Sequence, residues 1–368
     1  MNILLTNATQ IFAGGEDYVL ILARYLEMRG HNVCVSANPG HLLLKKCEET
    51  GIETVPIQYG DMGKVFAVGK LLREEIRKRS IAIIHSNANY DRTCAAIGAV
   101  FTKAKHVASI HSAHSIQHNI THWWRNKFGT TQFIADADAV KDVMMKEDGI
   151  PESRITVVPI GVENDPEEFV RNARAKTRSA WNVSPDTIVV GNVARLTAFK
   201  GHKYLLQTVA EVVKTLPNVL FPMIGDGELM DELQQQTKSL NIEKHVRFLG
   251  FQDNLNELYP AFDMYCHSSV ELAAEAFPLA ILRALATGLP VVCTKVGGIG
   301  LMVEDGVSGY LVKPEEPKAL ADALLKVIRD KSLVNSMGRA SFELFKIKFH
   351  ASAMAEKVEQ VYLKALAA

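Results

Sequence analysis

Cations, glycines and one carboxylate stand in this sequence where short β-branched runs hand over to helix-length stretches. Such junctions matter because strand carboxyl ends and the free amides of helix N-termini are where α/β proteins hold anions. Val193-Ala194-Arg195-Leu196-Thr197-Ala198-Phe199-Lys200-Gly201 carries two cations five residues apart. Arg195, with its planar fork, and Lys200, as a point charge, could converge on phosphate oxygens, and their place after a strand favours this over solvated surface charge. In Phe12-Ala13-Gly14-Gly15-Glu16 the paired glycines let backbone N–H groups approach an anion, although a tight turn accounts for them equally well. Ile224-Gly225-Asp226-Gly227-Glu228 is a second glycine-bearing turn, in which Asp226 or Glu228 is suited to capping the next helix. The stretch from Ser268 to Pro290 is the most informative. Pro278 suits the first turn of a helix, Gly288 its end, and Glu275 lies just outside the N-terminus. A carboxylate beside exposed amides can take a hydroxyl and a phosphate together, and this one is expected in a polar cleft and not in a core.

Three further patterns invite chemistry. Asp136-Ala137-Asp138 matches the DxD pattern of metal-dependent sugar transferases, but it opens a helix expected over Ala135–Asp148, where acids favour the first turn. His111 is followed by His114, His118 and His122, the last three spaced to share a helix face; with no acidic or cysteine partner and no HExxH spacing, a metal site is not expected. Trp123-Trp124-Arg125-Asn126-Lys127 fits a peripheral contact with a membrane interface or a lipid-linked acceptor as well as it fits a buried tryptophan with solvated cations. A full GxGxxG fingerprint is missing, so no nicotinamide or flavin cofactor is expected.

The elements that must position these residues follow a βαβ rhythm, which implies parallel sheets. Asn2–Thr6, Asn32–Ser36, Ile81–His85, His106–Ile110, Thr131–Ile134 and Ile155–Pro159 read as strands, with helices over Glu16–Gly30 and His41–Gly51. A polar, proline-containing stretch from Glu163 to Asp186 reads as a domain boundary. Strands resume at Thr187–Val193, Val219–Ile224, Val246–Phe248, Met264–His267, Pro290–Cys293 and Gly309–Val312, and successive helices close the chain from Pro317. The expected fold is α/β, with two Rossmann-like, doubly wound parallel-sheet domains facing across a cleft. They span residues 1–165 and 166–349, and a last helix at about 350–368 packs back on the first.

Length and composition agree with two packed domains: 368 residues exceed a single comfortable core, and the apolar (48%) and charged (22%) shares are globular. The chain balances 41 basic against 41 acidic residues, and residues 1–180 hold 22 and 20 of them, so nonspecific nucleic-acid binding is not expected. Five scattered cysteines without a CxxC pair suggest neither a disulfide framework nor a zinc ribbon. The amino terminus does not read as a signal peptide and no apolar run is long enough to span a bilayer, so the expected location is the cytosol, with the inner membrane face as an option.

Taken in order, the motifs resemble the retaining glycosyltransferases of the GT-B architecture, in the glycogen-synthase-like family 4. The resemblance is carried by the Gly14-Gly15 loop with Arg29-Gly30-His31-Asn32-Val33, by Val158-Pro159-Ile160-Gly161-Val162-Glu163, and by Arg195 with Lys200-Gly201. It continues through Phe248-Leu249-Gly250, the Glu275 segment, and Val296-Gly297-Gly298 with Gly306-Val307-Ser308-Gly309-Tyr310. It implies that Arg195 and Lys200 bind the donor diphosphate, that the amides around Phe277, Pro278 and Leu279 face it, and that Gly14, Gly15 and Gly225 line the donor. Glu275 would be the first acid of an E-x7-E signature contacting the transferred sugar, and His111 would lie near that sugar. The second acid is replaced by Arg283, which is still expected at the donor, holding the ribose loosely or else turned to a phosphate or a nearby carboxylate, and an acid usual after the next Gly-Gly is replaced by Leu301. The resemblance further implies a metal-independent, retaining transfer of a hexose-type sugar from a UDP-linked donor to a saccharide or lipid-linked acceptor in cell-envelope polysaccharide synthesis. A nucleotide-sugar epimerase, or a catalytically weak nucleotide-sugar-binding partner subunit, is the alternative.

Overall fold

The computed structural model describes residues 1–9, 14–60, 62–112, 114–270, 275 and 277–368, and it divides into two compact units. Unit 1 comprises Met1–Val162 with Ala351–Ala368, and unit 2 comprises Glu163–His350.

Unit 1 is built on strands β1 (Asn2–Thr6), β2 (Asn32–Ala37), β3 (Glu53–Pro56), β4 (Ile83–Ser86), β5 (Lys105–Ile110), β6 (Gln132–Ala135) and β7 (Ile155–Val157), all parallel in the order β3-β2-β1-β4-β5-β6-β7. Its helices are α1 (Gly14–Met28), α2 (Leu42–Glu49), α3 (Val65–Lys78), α4 (Asn89–Ala99), the short α5 (Ile120–Trp124) and α6 (Asp138–Lys146). The strands are buried on both faces, so successive residues feed different cores. Ile3, Leu5 and Ile83 pack with Leu22 and Leu26 of α1, whereas Leu4 and Ile84 pack with Leu72 and Ile76 of α3. β3 lies outside the strands read from sequence. It is a four-residue edge strand holding a glutamate and a proline, with only Val55 buried, so it has almost no pattern to show.

Unit 2 opens with α7 (Glu167–Ala180), inside the stretch read as a domain boundary; its polar composition hides a narrow buried seam at Ala173 and Thr177. Strands β8 (Ile188–Val193), β9 (Val219–Ile224), β10 (Val246–Phe248), β11 (Met264–His267), β12 (Val291–Thr294) and β13 (Gly309–Val312) form a parallel sheet in the order β10-β9-β8-β11-β12-β13. Around it lie α8 (His202–Val213), α9 (Met230–Ser239), α10 (Leu255–Leu258), α11 (Leu279–Ala286), α12 (Ile299–Met302), α13 (Pro317–Ile328) and α14 (Lys331–Lys348). The final helix, α15 (Ala351–Ala367), belongs to unit 1, where Met354, Val358 and Tyr362 join the core beneath α1.

Candidate active site

In unit 2 the strand order reverses direction about β8, which has β9 on one side and β11 on the other, and the polar residues gather beyond the carboxyl ends of these strands. Gly225 adopts φ +137°, and a Cβ there would run into the Ala194 carbonyl, so only glycine allows the loops after β8 and β9 to touch. Those loops are laced by backbone bonds from Ala194 N–H to the Ile224 carbonyl (3.0 Å) and from Leu196 N–H to the Asp226 carbonyl (2.9 Å). Between them opens a cavity of about 780 Å³ lined by Val193–Arg195, Ile224–Gly227, Phe251, Gln252 and Leu255. Arg195 is exposed at its wall and forms no ion pair among the described residues. Neither Asp226 nor Glu228 caps α9; that helix starts at Met230 without a side-chain cap, and the Asp226 carboxylate instead accepts from the Gly227 amide (2.8 Å).

Glu275, expected in a polar cleft and not in a core, has polar surroundings but is buried at 2% exposure. Its Oε1 accepts from Lys200 Nζ, from Ser269 Oγ and from His267 Nε2 (3.1 Å), and its carbonyl accepts from the Gly298 amide (2.8 Å). Oε2 is left without a protein donor among the described residues. Burial alone would raise the carboxyl's pKa, but the hydrogen bond and charge of His267 and the Lys200 ammonium outweigh it and bring the group down to about 2. The loop after β8 is brought to this carboxylate by Gly201, whose φ of +66° lets it pass the Ser268 carbonyl, and by Ser268 Oγ donating to the Lys200 carbonyl (2.9 Å). Behind His267, the Tyr265 hydroxyl lies 3.2 Å from Nδ1 and donates to the Val193 carbonyl (3.1 Å).

Pro278 is the N-cap of α11 and has no N–H, so it shapes the turn but cannot be one of the donors expected there. The first intrahelical bond of α11 runs from Ile281 N–H to the Pro278 carbonyl (3.0 Å), which leaves the amides of Leu279 and Ala280 pointing out of the helix start. Phe277 packs its ring edge-on against Phe349. Arg283 is half-buried on α11 near Asp165. Burial raises the Asp165 carboxyl, the Arg283 charge opposes that rise and Glu163 adds to it. Leu301 is 54% exposed on α12.

In unit 1, His111 follows β5 and Asp136 follows β6, directly after the paired residues Ile110 and Ala135. Sheet register therefore sets the imidazole beside the carboxylate, with Nδ1 3.6 Å from Asp136 Oδ2, and Tyr18 packs edge-on against the ring at 4.8 Å. Both His111 nitrogens and Asp136 Oδ1 are buried without hydrogen-bond partners. Only Asp138 of the expected DxD pair is in a helix first turn; Asp136 is buried ahead of it while Asp138 is exposed, so the two acids do not share a site. His114 and His118 precede α5, which Asn119 caps by accepting from the His122 amide (2.9 Å), so the expected three-histidine helix face does not form. Gly14 and Gly15 are the first residues of α1, and Phe12 and Ala13 lie outside the described residues. In the Trp123–Lys127 run Arg125 is fully buried, donating to the Ile116 carbonyl (2.6 Å) and to Thr93 Oγ1 (3.1 Å), and so is not one of the solvated cations expected.

Sequence reasoning missed His267 and Ser269 as holders of Glu275, although both sit at the end of the strand that leads into it. It also missed the pairing of His111 with Asp136, which the succession of two neighbouring strands would have revealed.

Two family models account for most of the chain: "Glycosyl transferases group 1" matches residues 173–343 and "Glycosyltransferase Family 4" matches residues 12–165. The chain belongs to the group 1 glycosyltransferases. This glycosyltransferase is 24% identical over 317 residues, 82% of its length and 79% of the relative's, to the UDP-Gal:alpha-D-GlcNAc-diphosphoundecaprenol alpha-1,3-galactosyltransferase of Escherichia coli. Matches to further curated relatives cover between 44% and 60% of those proteins, so the chain spans about half of their length. Among solved structures, a glycosyltransferase from Rickettsia africae superposes with a TM-score of 0.85 at 20% identity, over 99% of this chain and 98% of that one. Anabaena HepE in complex with UDP and glucose gives 0.74 at 22%, over 97% and 98%. At such identities these two likenesses speak to the GT-B fold.

Proposed function

We propose that this glycosyltransferase moves a sugar from a UDP-sugar to a saccharide or lipid-linked acceptor in cell-envelope polysaccharide synthesis, retaining the anomeric configuration and without a metal. The observation that carries the reading is the state of Glu275. A buried carboxylate is kept ionised by three donors on one oxygen, while no donor among the described residues takes the other. An acceptor-only group in that condition suits a sugar hydroxyl.

Breaking the bond between sugar and nucleotide puts negative charge on the leaving diphosphate and positive charge on the anomeric carbon. Fixed cations and amides at the phosphate are therefore the main need. Arg195 supplies an exposed fork, Leu279 and Ala280 supply outward amides, and Lys200 has three donors, so it can hold Glu275 and still reach a phosphate oxygen. The cavity between the β8 and β9 loops, about 780 Å³, lies within the range of small-molecule sites. Attack from the leaving-group face, with the diphosphate taking the acceptor proton, would retain configuration. His111 is assigned to the transferred sugar on the family resemblance. The UDP-galactose named for the Escherichia coli relative, whose acceptor is a lipid diphosphate, supports this donor and acceptor class.

The test is a panel of nucleotide sugars screened by thermal shift, followed by product analysis by NMR with the stabilising donor and a short lipid-diphosphate saccharide, in EDTA. A glycoside of the donor's own anomeric configuration is expected. Stabilisation by UDP-sugars with no transfer to any acceptor would favour a nucleotide-sugar-binding partner subunit, a reading that Arg283 and Leu301 in place of two family acids keep in play.

A further inference from the structure

Unit 1 carries a face that the donor chemistry leaves unused. From the turn that opens at Met62 to the turn that ends at Gly129, the chain holds eleven Lys and Arg against three acids in a chain balanced overall; with the buried Arg92, Arg125 and Asp91 set aside, nine cations stand against Glu74 and Glu75. Helix α3 arranges part of this charge. Val65, Val68, Leu72 and Ile76 are buried against the core, whereas Phe66, Lys70, Arg73 and Arg77, spaced four, three and four residues apart, form one stripe on the other side. Phe66 is 74% exposed. Beside it, Ile120 of α5 is 75% exposed, and the two border a largely apolar groove of about 430 Å³ that Ile97, Val100 and Trp124 also line.

Phe101, just past α4, is the most unusual residue of this face. It is 86% exposed and has φ +60°, a left-handed conformation that glycine adopts freely and a bulky side chain adopts only under strain. The Arg73 guanidinium lies 5.9 Å from its ring centroid and donates to the Ile97 carbonyl (2.6 Å). A strained backbone that presents an aromatic ring to solvent points to a use for the ring outside the fold.

We propose that this face docks on a membrane surface rich in anionic phospholipid, with Phe66, Phe101 and Ile120 entering the acyl boundary and Lys70, Arg73 and Arg77 resting among the phosphates. Exposed apolar side chains interleaved with cations are what an interfacial surface requires, and the charge excess selects anionic lipid. A second copy of the chain is a poor occupant because it would bring the same positive charge against itself. Contact would be peripheral, since no helix among the described residues is long and apolar enough to cross a membrane. The proposal stands on unit 1 alone and does not rest on the donor reading.

Flotation of the purified full chain with phosphatidylcholine vesicles, with and without about 30% phosphatidylglycerol, tests it. Binding is expected to the anionic vesicles only and should weaken as salt shortens the screening length. K70E should lower the partition coefficient by roughly tenfold or more, at about fivefold per unit of charge, and F66S and I120S by about tenfold each. F101G is the sharpest variant. It should lose vesicle binding while melting no lower than the parent, because glycine relieves the left-handed strain. Unchanged UDP affinity, measured by calorimetry in each variant, keeps a folding defect distinct from lost docking. Equal binding to neutral vesicles, absence of binding, indifference to these four substitutions, or a dimer in light scattering that F66S dissociates without any vesicle binding would each overturn the proposal.

Discussion

The Glu275 knot makes a quantitative prediction about unit 2. The folded-state pKa lies below the ordinary 4.5, so the carboxylate stabilises the fold above that value and loses the contribution as pH falls through about 2. The difference corresponds to about 3 kcal/mol at pH 7. Glu275→Gln removes the charge while keeping the shape, and should cost about that much, less whatever hydrogen bonding the amide retains. Lys200→Met should cost about as much, because it strands a buried carboxylate. The double substitution should cost little more than either single one, since removing both charges leaves no orphan; a coupling of about 2 kcal/mol is expected. Urea denaturation followed by Trp181 fluorescence, in a background with Trp123 and Trp124 replaced by Phe, reads unit 2 alone. Single costs that simply add, to within about 0.5 kcal/mol, would refute the ionic account and make Glu275 a space-filling residue.

Three further outcomes are expected. Arg195→Ala should weaken UDP by roughly tenfold to a hundredfold in calorimetry and barely change uridine, as a lost charged hydrogen bond would. His111→Ala should lower turnover more than UDP-sugar affinity in steady-state kinetics, and equal losses would contradict a role at the sugar. Stability should fall as pH drops below about 6.5, because burial depresses His85, His106 and His202 to about 3 and the unfolded chain takes up those protons first. From pH 7 to 5 each histidine costs about 2 kcal/mol, and Asp91, which burial raises to about 6, returns about 1, for a net loss of about 5 kcal/mol from these four groups. A melting temperature that stays flat over this range would refute the assignment of these histidines as buried and neutral.

The wound α/β architecture was legible because its strands are buried on both faces and read as apolar runs, as in Ile3-Leu4-Leu5 and Val189-Val190. Where burial is partial the signal fades. β3 has one buried residue of four, and α7 was hidden by its charges because only Ala173 and Thr177 turn inward. The histidine series misled for a different reason: i, i+4, i+8 spacing presupposes a continuous helix, and Asn119 starts α5 too late to include His114 or His118. Averaging hid the charge. Halves of the chain are nearly neutral, yet one stretch of unit 1 sets nine cations against two acids once its buried charges are set aside, and only the fold shows that part of this excess lies on a single stripe of α3.

Arg283 shows how far a spacing rule reaches. Eight residues after Glu275, it occupies the place of the family's second acid, and three environments were open to it: a loose ribose contact, a phosphate, or a nearby carboxylate. The structure sets Arg283 near Asp165, where its charge counters the burial that raises that acid, although among the described residues the two form no ion pair. Sequence reading could not have brought them together, because Asp165 lies 118 residues earlier in the stretch that read as a domain boundary. The consequence reaches the substitution that would restore the family pattern. Arg283→Glu would gain an acceptor for ribose hydroxyls, a gain of roughly 1 kcal/mol in UDP binding. It would also set a second acid beside Asp165 and Glu163, and like charges raise one another's pKa and repel. Restoring the acid therefore needs the pair: Arg283→Glu with Asp165→Asn should bind UDP about fivefold more tightly than the parent in calorimetry, and more tightly than Arg283→Glu alone. If the single substitution already gave the full gain, the Asp165 charge would not bear on position 283. If both variants bound UDP more weakly than the parent, Arg283 would itself be a donor ligand, with its fork on the nucleotide.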